Sequence, residues 1–109
     1  MLVHALTSRA DLHRRQHRNQ DAEADLRLAE KTLLTSPKEY QGTIAFREYR
    51  ARLAEARTRL AIDARDAAAL NKQLSDARDA FNSWIEVDPL NQLAKDALST
   101  LEKDAKNQK

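Results

Sequence analysis

Apolar side chains return every three or four residues along most of this chain, which is the period of helices laying one face against a core. Strand content is expected to be nil or close to it. The clearest stretch is Leu74 to Asn91, where Ala77, Phe81 and Trp84 follow one another at +4 and +3. It holds the single tryptophan and one of the two phenylalanines, and it predicts an amphipathic helix with an aromatic stripe ending at Val87. Asp88-Pro89 stops it, because the residue before a proline is pushed out of the α region.

Taken in order, Leu2, Leu6 and Ala10 with Leu12 predict a first helix over about 2–16. Ala22, Leu26, Ala29 and Leu33 predict a second over about 20–34. The short link between them makes the two antiparallel neighbours, with Ala10, Ala22 and Ala29 letting the backbones approach. Ser36-Pro37-Lys38-Glu39 combines a capping serine, proline at N1 and glutamate at N3, a strong helix start. Gly42 then interrupts, at about 1 kcal/mol relative to alanine, so the helix is expected to become regular only from Thr43.

A seven-residue pattern follows through Phe46, Tyr49, Leu53, Ala56, Leu60, Asp63, Ala67, Leu70, Leu74, Ala77, Phe81 and Trp84. Only Asp63 breaks it, and no glycine or proline falls between Thr43 and Asp88. The favoured division is near Asn71 to Ser75, giving helices over about 37–70 and 75–87. The alternative is one unbroken rod. Leu90, Leu93, Ala94, Ala97, Leu98 and Leu101, opened by Pro89, predict a last helix over about 90–103. The expected architecture is all-α, one domain over 1–105 built as a stack of four to five helices in antiparallel hairpins, with 106–109 as a frayed tail.

Composition narrows this picture. Charged residues make up 33% and aromatic residues 5%, so small residues must bring the helices close together. There is no cysteine, which excludes disulfides and thiolate metal sites. The first residues lack the basic start and apolar run of a secretory signal, and no apolar run suffices to cross a bilayer. A cytoplasmic protein without membrane attachment is the expectation. The net charge of +2 is spread among mixed signs, which disfavours nucleic acid as a partner.

Two stretches resemble the tetratricopeptide repeat (TPR) family, whose helix-turn-helix units of about 34 residues stack into a superhelix. Ala10, Ala22, Leu26 and Ala29 match its small, small, large, small positions, and Ala77, Phe81 and Pro89 match corresponding positions of a second unit. VDPLNQLAKDAL resembles the junction to a following helix. The family's early tryptophan and glycine are absent, Trp84 stands where a small residue is usual, and Pro37 and Pro89 lie further apart than one repeat. Residues 38–56 therefore read as an added or elongated helix. The helical periodicity and this resemblance together give the expected structural core as Ala10, Ala22, Leu26, Ala29, Leu53, Leu60, Ala77, Phe81, Trp84 and Pro89.

Arg9, Arg14, Arg15 and Arg18 against the single Asp11 form the one local excess of positive charge. Arginines there can grip carboxylates or phosphates in a bidentate manner. The resemblance would place Thr7, Asp11 and Arg14 near the concave surface where the family binds extended peptides. The bland reading is a solvated face balanced by Asp21, Glu23 and Asp25. His13, His17 and Asp21 stand four apart, but the turn expected within that row and the flanking arginines speak against a metal site. No catalytic constellation, cofactor motif or phosphate loop is recognisable. The functional expectation is thus a non-enzymatic scaffold module binding a peptide or helix of another protein. The alternative is a structural coiled-coil homodimer built on a 46–84 helix.

Overall fold

The computed structural model describes residues 2–107. Its elements are α1 (Leu2–Arg15), α2 (Asn19–Leu34), α3 (Lys38–Gln41), α4 (Ile44–Ala64), α5 (Ala67–Val87) and α6 (Gln92–Lys106). Among the described residues there is no strand, and the protein is all-α.

Two hairpins, α1 with α2 and α4 with α5, make up most of the packing. Each turns in the same way. His17 (φ 61°) and Arg65 (φ 55°) take the left-handed conformation just past α1 and α4. The next amide reaches back to the start of the last turn, Arg18 N to His13 O at 2.8 Å and Asp66 N to Ala61 O at 3.3 Å. The left-handed residue's own amide closes the inner bond, His17 N to Arg14 O at 3.0 Å and Arg65 N to Ile62 O at 3.1 Å. This is the Schellman arrangement, achieved twice without glycine. The shift that carries His17 onto Arg65 also carries buried Val3 onto Ala51, Leu6 onto Ala54, Ala10 onto Thr58, Ala29 onto Ala77 and Leu33 onto Phe81. The chain is thus an internal repeat of two hairpins, at a period longer than the TPR's roughly 34 residues.

The expected division at 71–75 is corrected. The break falls at Arg65 and Asp66, and the Asp66 carboxylate accepts from Ala69 N at 3.1 Å as the N-cap of α5. The seam from Phe46 to Trp84 is therefore divided between two helices that fold back on one another. An unbroken 46–84 rod would be about 58 Å long, whereas the longest dimension of the molecule is 37 Å.

The expected capping box at Ser36 does not form either, since the Ser36 hydroxyl donates to Thr32 O at 3.1 Å. Instead α3 lasts one turn, Gly42 ends it, and Thr43 caps α4 by accepting from Phe46 N at 3.2 Å. Regular helix thus resumes just after Thr43, as the glycine implied.

Two clusters form the core, with α4 between them. On one side Val3, Leu6 and Ala10 meet Ala22, Leu26, Ala29 and Leu33, with Leu53, Phe46, Tyr49, Ala56 and half-buried Leu60 of α4 closing over them. On the other, Ala51 and Ala54 of α4 meet Ala77, Ala80, Phe81 and Trp84 of α5 and Ala94 and Leu101 of α6. Thr58 is fully buried on that face and satisfies its hydroxyl by donating to Ala54 O at 2.8 Å.

Four expected apolar positions are corrected. Pro89 is exposed, in the turn before α6. Leu12 points to solvent, as do Leu90, in the turn before α6, and Leu93, in the first turn of α6, which starts at Gln92 and is capped by Asn91. The tail expected to fray is helical through Lys106; residues 108–109 lie outside the described ones.

Candidate interaction groove between α1 and α4

The hairpins stack so that α1 and α4 lie side by side, leaving a groove of about 600 Å³ between them. From α1 it receives His4, Thr7, Ser8, Asp11, Arg14 and Arg15, and from α4 Glu48, Tyr49, Arg52, Glu55 and Arg59. Helical spacing explains the set: 4, 7, 8, 11, 14 and 15 form one stripe of α1, as do 48, 52, 55 and 59 on α4.

Ion pairs cross this surface. Arg14 donates from one nitrogen to Asp11 and from the other to Asp63, both at 2.9 Å. Burial works against the Arg14 charge, but its bonds to Asp11 and Asp63 outweigh this and raise its pKa above the ordinary value. Arg15 holds the second Asp11 oxygen at 3.0 Å. Arg59 reaches Asp104 of α6 at 2.9 Å, tying the last helix to the same face. Arg52 pairs with Glu55 at 3.2 Å, and its guanidinium carbon lies 5.7 Å from the Trp84 ring centroid. Glu48 has no ion-pair partner among the described residues. Tyr49 closes one end beside His4, ring centroids 6.3 Å apart.

Of the residues expected to bind a partner, Thr7, Asp11, Arg14 and Arg15 line the groove. Arg9 and Arg18 do not. Arg9 clasps Asp25 of α2 through Nε at 3.0 Å and a terminal nitrogen at 2.6 Å, and those bonds push its pKa up. Arg18 pairs with Asp21 at 2.7 Å across the turn. The acidic start of α2 thus balances part of the arginine excess. Thr7 donates its hydroxyl to Val3 O at 2.7 Å.

Glu48, Arg52, Glu55 and Arg59 of α4 were not among the residues expected to bind a partner, although they recur at +4, +3 and +4, the spacing of one helical face. The row His13, His17, Asp21 is split by the left-handed turn at His17, while His13 Nε2 lies 3.4 Å from Asp25. Phe81 and Trp84, at 0% and 1% exposure, belong to the core and not to this surface.

A surface of alternating guanidinium and carboxylate groups edged by a phenol suits recognition by exchange of ion pairs and hydrogen bonds. Among the described residues no helix is long and apolar enough to cross a membrane. No protein-family model, curated protein or solved structure matches the chain. The class is therefore defined by the fold alone: an all-α protein of two stacked hairpins and a closing helix.

Proposed function

We propose that this protein is a non-enzymatic interaction module of TPR-like type that holds a peptide or helical segment of another protein in the α1–α4 groove. The observation that carries this reading is the groove itself, formed because equivalent helices of two repeated hairpins stand side by side and present charged, hydrogen-bonding side chains. The resemblance through Ala10, Ala22, Leu26 and Ala29 points the same way. A partner segment with mixed charge would exchange with the exposed pairs at little cost, since each contributes only about 0.2–1 kcal/mol. It would find Glu48 ready for a cation and Arg15, 71% exposed, ready for a carboxylate.

Selection of short peptides from a displayed random library against the whole chain tests this. The selected peptides are expected to lose at least about tenfold in affinity on Arg15→Glu and on Glu48→Lys, with both variants melting within a few degrees of the parent. Peptides indifferent to both substitutions, or no enrichment at all, refute the reading.

A further inference from the structure

A second groove, of about 900 Å³, lies between the N-terminal half of α5 and the C-terminal half of α6. Its floor is apolar, with Ile62, Leu70, Leu74 and Ala105. Its rim carries Arg65, Arg78, Lys103 and Lys106 against Asp66 and Glu102. Both carboxylates are already committed. Asp66 caps α5 at Ala69 N, and Glu102 accepts from Arg78 at 3.2 Å. Arg65, Lys103 and Lys106 have no ion-pair or side-chain hydrogen-bond partner among the described residues, although most arginines of this chain have one. Helix C-termini favour cations in any case. Here two helix ends, those of α4 and α6, bring three uncommitted cations round one apolar floor.

We propose that this groove docks an amphipathic, acidic helix of another protein, whose apolar stripe would cover Ile62, Leu70 and Leu74 while its carboxylates pair with Arg65, Lys103 and Lys106. The occupant is helical because α6 is the one long helix without a hairpin mate, and a helix laid between α5 and α6 would restore the packing the other four enjoy. The occupant is acidic because the unsatisfied charge on the rim is all positive. A second copy joined symmetrically through this groove would set the same cations against themselves. A polyanion such as nucleic acid would match the cations and leave the apolar floor uncovered. The inference is independent of the α1–α4 groove.

The test uses two synthetic helical peptides of about 15 residues with an identical leucine stripe at i, i+3, i+4, i+7 spacing, one carrying glutamate and the other lysine beside it. Fluorescence anisotropy against the whole chain is expected to show binding of the glutamate peptide only. The double variant Lys103→Glu, Lys106→Glu alters two exposed residues and should retain the parent circular dichroism. It is expected to weaken the glutamate peptide at least about tenfold and to admit the lysine peptide. Leu70→Asp is expected to weaken the glutamate peptide as well. Equal binding of the two peptides, no binding of the glutamate peptide at about millimolar concentration, or indifference to the double variant overturns the proposal. So does a dimer in sedimentation that the double variant abolishes, which would give the groove to a second copy. Tighter binding of a single-stranded oligonucleotide than of the glutamate peptide, lost in the same variant, would give it to a polyanion and overturn it equally.

Discussion

Trp84→Ala tests the second core cluster directly. The indole is 1% exposed, lies tilted against Phe81 with centroids 6.0 Å apart, and has the Arg52 guanidinium 5.7 Å from its ring centroid. A tryptophan buries about 150–250 Å², which at about 25 cal/mol per Å² is roughly 4–6 kcal/mol. The unfolded chain already hides some of that area, which brings the figure to about 3–5 kcal/mol. A domain of this length has about 5–16 kcal/mol to lose. One opposing contribution distinguishes the tryptophan from a generic aromatic. Its Nε1 is buried with no hydrogen-bond partner among the described residues, at a cost of about 1–3 kcal/mol. Trp84→Phe removes that burden while giving up some volume and part of the Arg52 contact, so it is expected to cost less than about 2 kcal/mol. Urea unfolding followed by far-ultraviolet circular dichroism measures both, with an unchanged denaturant slope confirming that only stability moved. A loss below about 1 kcal/mol for Trp84→Ala, or equal losses for the two variants, would refute the reasoning.

Other predictions follow from the caps, the packing and one phenol. Asp66→Ala is expected to cost about 0.5–2 kcal/mol in urea unfolding, because it removes the cap of α5, while Ser75→Ala, mid-helix and exposed, should cost almost nothing. The reverse order would restore the break to 71–75. Ala51→Leu is expected to destabilise by about 1–3 kcal/mol, since the methyl is fully buried between α4 and its neighbours, and an unchanged or raised melting temperature would contradict that packing. Burial, aided by the nearby Tyr49, pushes the Tyr40 pKa above its ordinary 10.0. Because the folded value is the higher one, the associated stability is present below pH 10 and is lost as pH rises through the folded pKa. Absorbance titration of Tyr49→Phe, which leaves Tyr40 as the only tyrosine, should give a midpoint still above 10.0, and a midpoint at or below it would exclude burial as the cause.

The all-α class and the aromatic stripe were legible because they rest on large side chains at helical spacing: Leu26, Leu33, Phe81 and Trp84 are all buried where the periodicity put them. The turns were less legible, for a specific reason. Left-handed caps are sought at glycine or asparagine, which drew attention to Asn71, whereas the chain places His17 and Arg65 there. An arginine in that conformation costs about 1–2 kcal/mol relative to glycine. What outweighs it is length matching. A break at Arg65 leaves α4 and α5 with 21 residues each, so they can pair along their whole length. A break at 71–75 would leave the first helix much longer than the second and part of its face uncovered. The local preference lost to the packing it would have spoiled.

The same competition explains why the candidate site was only half visible. Helix α4 is covered on one side by the first hairpin and on the other by α5 and α6, so its apolar residues spread around much of its circumference. The side facing α5 is lined by Ala51, Ala54, Thr58 and Ala61, small residues that carry little hydrophobic signal yet allow the closest approach of backbones. Read alone, the larger stripe of Phe46, Tyr49, Leu53, Ala56 and Leu60 looks like the seam of a long coiled coil. With the second stripe in place, one strip left for charge holds Glu48, Arg52, Glu55 and Arg59, and that strip stands beside Asp11, Arg14 and Arg15 of α1. The position of the groove is therefore a consequence of burying α4 twice. Replacing Ala54 or Thr58 by a larger side chain would push α5 away and displace α6 with it. Arg59 and Asp104 would then separate, which makes the small-residue face of α4 the element that holds α6 beside the groove.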